Sequence, residues 1–229
     1  MELSIKNLVH IFFPERCVIC ERQLLKSEKT LCVVCRHELP LTGFTNESDN
    51  EMERSFTGRS RILAATALLY FYKKGSVQTL IHELKYRGHQ EIGTFLGKWL
   101  GEEIRSSKRF KVPEMIVPVP LHPKKLKKRT YNQVAEFGKS LSETLNIPFV
   151  ESVLKRNIYT ETQTYKHRID RFQNTKNIFE VNDLRTCQGK HILLIDDVQT
   201  TGATLEACCN ELQKIPGIKI SIATMAYTP

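Results

Sequence analysis

The sequence predicts an α/β fold, with a central and mainly parallel sheet flanked by helices and a small four-cysteine domain in front of it. Two observations predict this class. Short apolar segments alternate with segments of helical periodicity from residue 61 onwards, an alternation typical of parallel sheets. Four cysteines form two Cys-x-x-Cys pairs near the N-terminus. We therefore expect a four-cysteine domain at residues 1–45, a linker at 46–60 and an α/β domain at 61–229.

The first domain is predicted from the pairs "CVIC" (Cys17, Cys20) and "CVVC" (Cys32, Cys35). Two such pairs on a short polar hairpin can present four thiolates tetrahedrally to Zn²⁺. All four ligand positions would be filled by sulfur, so the metal would be structural. A redox pair or simple core cysteines are the alternatives, although a redox motif has no reason to repeat.

None of the three other cysteines (Cys187, Cys208 and Cys209) belongs to a Cys-x-x-Cys pair. Cys208 falls on the apolar face of a predicted helix, so we expect it in the core.

The first half of the α/β domain has clear elements. "TGFTNESDNEMERSFTGRSR" (42–61) shows no period and predicts a linker or loop, and "ILAATALLYFY" (62–72) predicts a strand. Helical spacing predicts two helices in succession, and "MIVPVPL" (115–121) predicts a short buried strand. The apolar positions of the two helices are Val77, Leu80, Ile81 and Leu84, then Ile92, Phe95, Leu96, Trp99 and Leu100.

The second half continues the alternation. A helix from residue 130 is predicted by Tyr131, Val134, Phe137 and Leu141, and Thr130 with Gln133 fits a capping box at its start. Residues 149–181 are polar and predict hairpins or a flexible loop. A buried strand from 192, a helix and the strand "IKISIATMAY" (218–227) complete the domain. That last helix carries apolar positions at Leu205, Cys208 and Leu212.

Charge and hydropathy limit the function classes. The formal net charge is +9, and residues 105–129 hold nine Lys or Arg against the single acid Glu114. Such a patch attracts phosphates, free or polymeric, although a solvated face is the alternative. We find neither the apolar start of a signal peptide nor an apolar run long enough to span a bilayer, and we expect a cytoplasmic protein.

The stretch "ILLIDDVQTTGAT" (192–204) carries the strongest functional signal. Ligands of open α/β sheets bind beyond the carboxyl ends of strands, where Asp196 and Asp197 are expected. The polar loop after them leads into a helix N-terminus, which favours an anion. Carboxylates repel phosphate but accept hydrogen bonds from a ribose diol, so the stretch predicts a site for a ribose 5-phosphate. The loop residues are Thr200, Thr201, Gly202 and Thr204.

Two alternatives stay open for the aspartates. They could form a Walker-B-like magnesium site, but the chain lacks G-x-x-x-x-G-K-[ST], and "GTFLGKW" (93–99) is one residue too short. An aspartate after a strand can also simply cap a helix.

"ILLIDDVQTTGAT" resembles the PRPP-binding motif of type I phosphoribosyltransferases. Together with the two Cys-x-x-Cys pairs, "LKYRG" (84–88) and "VPVPLHPKKLKKRTYNQ" (117–133), it makes the chain similar to the ComF family (competence protein F, or ComFC). This resemblance implies a type I phosphoribosyltransferase fold with a hood and an N-terminal zinc ribbon. It also implies a cytoplasmic location in bacteria and a role in natural transformation, where incoming single-stranded DNA is handled.

The resemblance also implies roles for single residues. Asp196 and Asp197 would bind the ribose hydroxyls, and the loop of Thr200, Thr201, Gly202, Ala203 and Thr204 would hold the 5-phosphate. The pyrophosphate side would include Pro120, Leu121, His122, Lys85 and Arg129, the last being part of an R-x-x-N-Q signature with Asn132 and Gln133. Asp196, Asp197 and Arg129 would be the catalytic set. Gln163, Arg171 and Asn174 would belong to the hood.

Three functions are compatible with these sequence features. An enzyme would transfer a phosphoribosyl group from PRPP with Mg²⁺, in nucleobase or nucleotide metabolism and with no DNA role. A DNA-binding protein would contact the phosphates of single-stranded DNA, without regard to sequence, through Lys124, Lys125, Lys127 and Lys128. An assembly protein would dock a competence helicase or translocation protein through the zinc ribbon. We predict a protein that binds PRPP and single-stranded DNA during DNA uptake, and we leave turnover open.

Overall fold

The computed structural model describes residues 14–121, 132–157 and 178–229. Its strands are β1 (Ala64–Tyr70), β2 (Met115–Pro118), β3 (Leu154–Arg156), β4 (Phe179–Val181), β5 (His191–Gln199) and β6 (Lys219–Tyr227). Its helices are α1 (Val33–His37), α2 (Glu51–Arg54), α3 (Ser76–Tyr86), α4 (Glu91–Ser106), α5 (Gln133–Leu145), α6 (Leu184–Cys187) and α7 (Ala203–Leu212).

The main sheet has the strand order β1-β6-β5-β2, and each neighbouring pair is parallel. The carboxyl ends of these strands therefore meet at one edge, which we call the carboxyl edge. β3 and β4, which lie within the segment 149–181, form a separate antiparallel pair. The predicted α/β class with a mainly parallel sheet is confirmed.

Both faces of the main sheet are covered, and the alternation of β5 shows how. Leu193 and Ile195 belong to one core cluster, with α3, α4 and α5. Ile192 and Leu194 belong to the other, with α7. Because side chains alternate between the two faces of a strand, a continuous apolar run is what a doubly covered strand requires.

Helices α4 and α5 approach each other closely through glycines spaced by four residues on α4. A Cβ atom on Gly97 would lie 2.5 Å from the carbonyl oxygen of Phe137 and 2.9 Å from the Cβ of Ser140. Gly93 and Gly101 face the same helix. The segment "GTFLGKW" is therefore the interior of a packed helix and not a phosphate loop, which removes the partial Walker match.

Residues 46–60, where the sequence predicts a linker, carry α2 and contribute to the second core cluster. Met52 and Phe56 are fully buried. The Asn50 side chain caps α2 by accepting from the Glu53 N–H, and it donates to the carbonyls of Phe44, Glu47 and Ala65. No period appears in this sequence because it holds only two apolar residues, Met52 and Phe56, in an otherwise polar stretch.

The start of α5 differs from the predicted capping box. Asn132 is the N-cap, and its side chain accepts from the Val134 N–H at 3.2 Å. Gln133 is the first helical residue and is fully buried. The capping-box prediction is wrong because asparagine caps a helix as well as threonine does and stands two residues later. Thr130 and Tyr131 lie outside the described residues.

Among the described residues, no helix combines the length and apolar character that crossing a membrane requires.

Candidate functional site

The four N-terminal cysteines are brought together as predicted. Their Sγ atoms all lie within 4.8 Å of one another, and those of Cys20 and Cys32 are 3.8 Å apart. A tetrahedral Zn²⁺ with Zn–S bonds of about 2.3 Å requires sulfur–sulfur distances of about 3.8 Å. The cluster therefore fits zinc in both donor chemistry and spacing.

The surroundings of the cluster favour thiolate at one sulfur. The Cys35 N–H donates to Cys32 Sγ at 3.4 Å, and this contact lowers the pKa of Cys32 to about 6. Burial raises the pKa of Cys35. A metal at the centre would hold all four sulfurs as thiolates.

Glu28 fixes the hairpin that carries the cysteines. Its carboxylate accepts from the backbone N–H groups of Leu25 and Val33, each at 2.8 Å, and these bonds lower the pKa of Glu28. The four-cysteine unit (residues 14–39) then packs on α4, where the Arg36 guanidinium lies 5.0 Å from the Trp99 ring centroid.

Asp196 and Asp197 lie near the carboxyl edge, but not at the end of their strand. β5 continues to Gln199, and Asp196 pairs with Thr224 of β6. The carboxylates also bond to backbone, since Asp196 Oδ1 accepts from the Asp197 N–H and Asp197 Oδ1 from the Val198 N–H. Neither aspartate caps α7, whose N-cap is Gly202. The cap alternative is therefore wrong.

The loop from Thr200 to Gly202 turns β5 into α7. Gly202 has φ of +74° and makes no side-chain cap, a conformation that glycine adopts without strain. Thr200, Thr201 and Thr204 are exposed. A cavity of about 40 Å³ lies within the turn, lined by Asp196 and the run from Val198 to Leu205. The predicted loop residues are thus gathered around one small polar cavity.

Lys85 reaches Asp197 from α3, and neither of these two residues lines the cavity. Its Nζ lies 2.7 Å from Asp197 Oδ2, and the two side chains are 17% and 14% exposed. Lys85 is therefore not a solvated lysine at a helix end. To bind a ligand, its ammonium group would have to share or break the ion pair with Asp197. It neutralises one of the two carboxylates.

Other predicted site residues are only partly described. The Val119 N–H donates to the Ile195 carbonyl at 2.9 Å, so the chain still lies against β5 one residue before Pro120 and Leu121. Three groups lie outside the described residues: His122; Lys124, Lys125, Lys127, Lys128 and Arg129; and Gln163, Arg171 and Asn174.

A set of contacts between the loop and residues 55–59 was not predicted from the sequence. Arg59 donates to the Thr201 carbonyl and to the Glu206 carboxylate, and Gln199 Nε2 donates to Ser55 Oγ at 2.8 Å. Ser55 and Arg59 lie in the segment predicted as a linker, and no motif marks them.

Comparison with known proteins agrees with this architecture. The family model of the phosphoribosyl transferase domain matches residues 135–229, which include β5, the loop and α7. The chain is similar to competence protein F of Haemophilus influenzae, 28% identical over 224 residues, covering 94% of this chain and 98% of that one.

Two further relatives have the same level of identity. DNA utilization protein YhgH of Escherichia coli K12 is 28% identical over 192 residues, covering 82% of this chain and 80% of that one. Competence protein ComFC of Bacillus subtilis is 28% identical over 216 residues, covering 82% and 85%. Residues 135–229 thus match the model of a phosphoribosyl transferase domain, a four-cysteine cluster precedes them, and over most of its length the chain is similar to competence protein F, YhgH and ComFC.

Proposed function

We propose that this is a ComF-type protein of the bacterial cytoplasm that binds PRPP with Mg²⁺ and binds single-stranded DNA during DNA uptake in natural transformation. One observation carries the PRPP part: two half-buried aspartates stand beside a threonine- and glycine-rich turn into a helix N-terminus at the carboxyl edge. The DNA part is supported by the names of the relatives, which refer to competence and DNA utilization.

The turn suits the 5-phosphate. The first amides of α7 have no intrahelical acceptor, and the helix dipole places partial positive charge at this end. Gly202 has no side chain to hold a phosphate away from the backbone. The hydroxyls of Thr200, Thr201 and Thr204 are exposed beside the cavity and can donate as well.

The carboxylates suit the ribose and the metal. Each hydroxyl of a ribose 2′,3′-diol can donate to an ionised carboxylate, a charge-assisted bond. Carboxylate oxygens are also ligands that Mg²⁺ prefers, and Mg²⁺ bound with PRPP would offset the charge of the pyrophosphate. Lys85, paired with Asp197, lowers the repulsion that two aspartates would exert on a phosphate.

We also propose that the four-cysteine unit binds a protein partner, which the resemblance implies is a competence helicase or translocation protein. Leu25 and Val33 are 67% and 66% exposed on its surface. Exposed apolar side chains of this kind can form the apolar centre of a protein interface.

The PRPP part is tested by calorimetric titration of wild type and the Asp196→Asn/Asp197→Asn double variant. Asparagine keeps the size but removes the charge that strengthens bonds to the ribose, and one such bond contributes on the order of 1.5–3 kcal/mol. PRPP affinity should fall at least about tenfold, while phosphate binding persists or improves because repulsion is lower. Equal PRPP affinity in both proteins would contradict the proposal.

The DNA part separates the proposal from an active phosphoribosyltransferase of nucleobase or nucleotide metabolism with no DNA role. Affinity for single-stranded DNA should fall steeply with salt. Replacing Lys124, Lys125, Lys127 and Lys128 by glutamine should flatten that slope. Absence of DNA binding at low salt would contradict the DNA part of the proposal.

A further inference from the structure

The loop from Thr200 to Gly202, proposed above to bind the 5-phosphate and here called the phosphate loop, is contacted by a segment distant in sequence. Three side chains of residues 55–59, here called the support segment, meet it at successive points. Ser55 Oγ accepts from Gln199 Nε2 before the turn. Phe56 lies under Gly202, with its Cζ 3.7 Å from where a Cβ would stand. Arg59 contacts the turn itself.

Arg59 is placed to fix the turn by geometry. Its Nη1 donates to the Thr201 carbonyl at 3.2 Å and to the Ser55 carbonyl at 3.2 Å. Its Nε donates to Glu206 Oε2 at 3.0 Å, and its Nη2 contacts the same oxygen. One guanidinium thus joins the support segment, the loop and the first turn of α7. A planar fork of fixed donors suits such a task better than a lysine does.

The contact at Thr201 has a consequence for the next amide. In a trans peptide the carbonyl and the following N–H point in opposite directions. Holding the Thr201 carbonyl toward Arg59 therefore turns the Gly202 N–H away from Arg59. Gly202 also precedes the amides of the first turn of α7, which need an outside acceptor.

The Arg59 guanidinium is paired with the Glu206 carboxylate. It is therefore not available as a free cation to bind the phosphate directly. The pair is also part-exposed, with side chains 36% and 28% accessible. Exposed ion pairs add little to stability. What the contact supplies is the orientation of the loop.

We propose that Arg59 is a positioning residue of the phosphate loop, which presets the Thr201–Gly202 peptide for a phosphate before the ligand arrives. This inference rests on the proposed function for the identity of the ligand. It predicts that Arg59 affects binding of any ligand that places a phosphate at the turn, with or without a pyrophosphate group.

The test titrates the full-length protein and its variants with PRPP–Mg²⁺, ribose 5-phosphate and inorganic phosphate. Arg59→Ala should weaken all three by at least about fivefold, since binding must then order a loop residue that was fixed before. Arg59→Lys keeps the charge but loses the fork, and should behave like Arg59→Ala. Arg61→Ala removes an equal charge from an exposed side chain two positions away, and should match wild type. If Arg59→Lys bound all three ligands as tightly as wild type, or if Arg61→Ala lost as much affinity as Arg59→Ala, the effect would come from positive charge alone. Either result would overturn the positioning role.

Amide hydrogen exchange gives a readout that needs no ligand. Exchange at residues 201–205 should be faster in Arg59→Ala than in wild type, with the amides of β6 unchanged. Glu206→Gln, which removes the partner charge while leaving Arg59 in place, should act in the same direction but less, and serves if Arg59→Ala does not fold. Failure of wild type to bind PRPP would end the proposed function, whereas unchanged exchange and unchanged affinities in Arg59→Ala would overturn this inference.

Discussion

The four-cysteine unit and the carboxyl-edge site are both shaped for a ligand, but their geometry comes from different distances along the chain. In the unit, the cysteines and the Glu28 contacts that orient them fall within residues 17–35. At the edge, Arg59 reaches Thr201 across 142 positions and Gln199 reaches Ser55 across 144. The geometry of the first site is therefore set within its own segment, and that of the second by the fold around it.

The largest effect should come from removing a ligand of the local site. Cys17→Ser leaves three thiolates, and a structural zinc site contributes on the order of 10 kcal/mol to the folding of a small unit. We expect loss of zinc and local unfolding of the unit, with the α/β domain still folded. Trp99 is the sole tryptophan and lies under Arg36, so its fluorescence should shift to the red as the unit detaches.

A matched control is Cys187→Ala, which removes a buried thiol outside the cluster and should leave the zinc content unchanged. Elemental analysis of protein purified without chelator decides the first point. Wild-type protein without zinc would show that the cluster is not a metal site, and global unfolding of Cys17→Ser would show that the unit is not an independent part.

The sequence was sufficient for what is encoded locally. The cysteine pairs, the strands with continuous apolar runs and the amphipathic helices were all predicted, because each pattern is complete within a few turns or one strand. Cys208 was also predicted correctly, as it is fully buried in the second cluster.

The sequence was insufficient where a contact joins distant segments. Arg59 stands in a stretch without a period, and only the folded chain brings it to Thr201. Lys85 contacts Asp197, a pairing that no local pattern predicts, because it forms only when α3 packs against β5; its expected role at a pyrophosphate stays a prediction. The interpretation of 46–60 as a linker failed to foresee Phe56 in the core, since single apolar residues in a polar stretch give no periodic signal.

An intermediate effect should come from the helix pair that supports the sheet. Gly97→Ala places a methyl group 2.5 Å from the Phe137 carbonyl, and overpacking costs about 1–3 kcal/mol. Alanine recovers up to about 1 kcal/mol through helix propensity. We expect a net loss of about 1–2 kcal/mol in the free energy of unfolding, measured by urea titration.

Gly93→Ala is the control, because its nearest contact would be the Phe137 nitrogen at 3.2 Å, which a small shift relieves. It should be nearly neutral. The zinc content of native Gly97→Ala should equal that of wild type. Loss of zinc would show that the four-cysteine unit depends on this helix pair, and the distinction between the two sites would fail.

The smallest change in stability should come from Lys85→Gln. This variant tests whether Lys85 offsets the negative charge of Asp197 at the carboxyl-edge site. The side chains of the Lys85–Asp197 pair are only 17% and 14% exposed, so removing Lys85 leaves a carboxylate that rehydrates only in part, and the free energy of unfolding should fall by about 1 kcal/mol. Ligand binding should respond more. If Lys85 acts by neutralising Asp197, its loss restores repulsion at the whole site, and affinities for ribose 5-phosphate and PRPP should both fall severalfold. If Lys85 instead binds pyrophosphate, only PRPP should be affected, because ribose 5-phosphate has no such group.

Repeating the change in an Asp197→Asn background closes a double-mutant cycle. Neutralisation predicts that Lys85→Gln then has little effect on either affinity. An undiminished effect on PRPP alone would show that Lys85 binds the pyrophosphate. Lys98→Gln, at an exposed position on α4, controls for the loss of one positive charge.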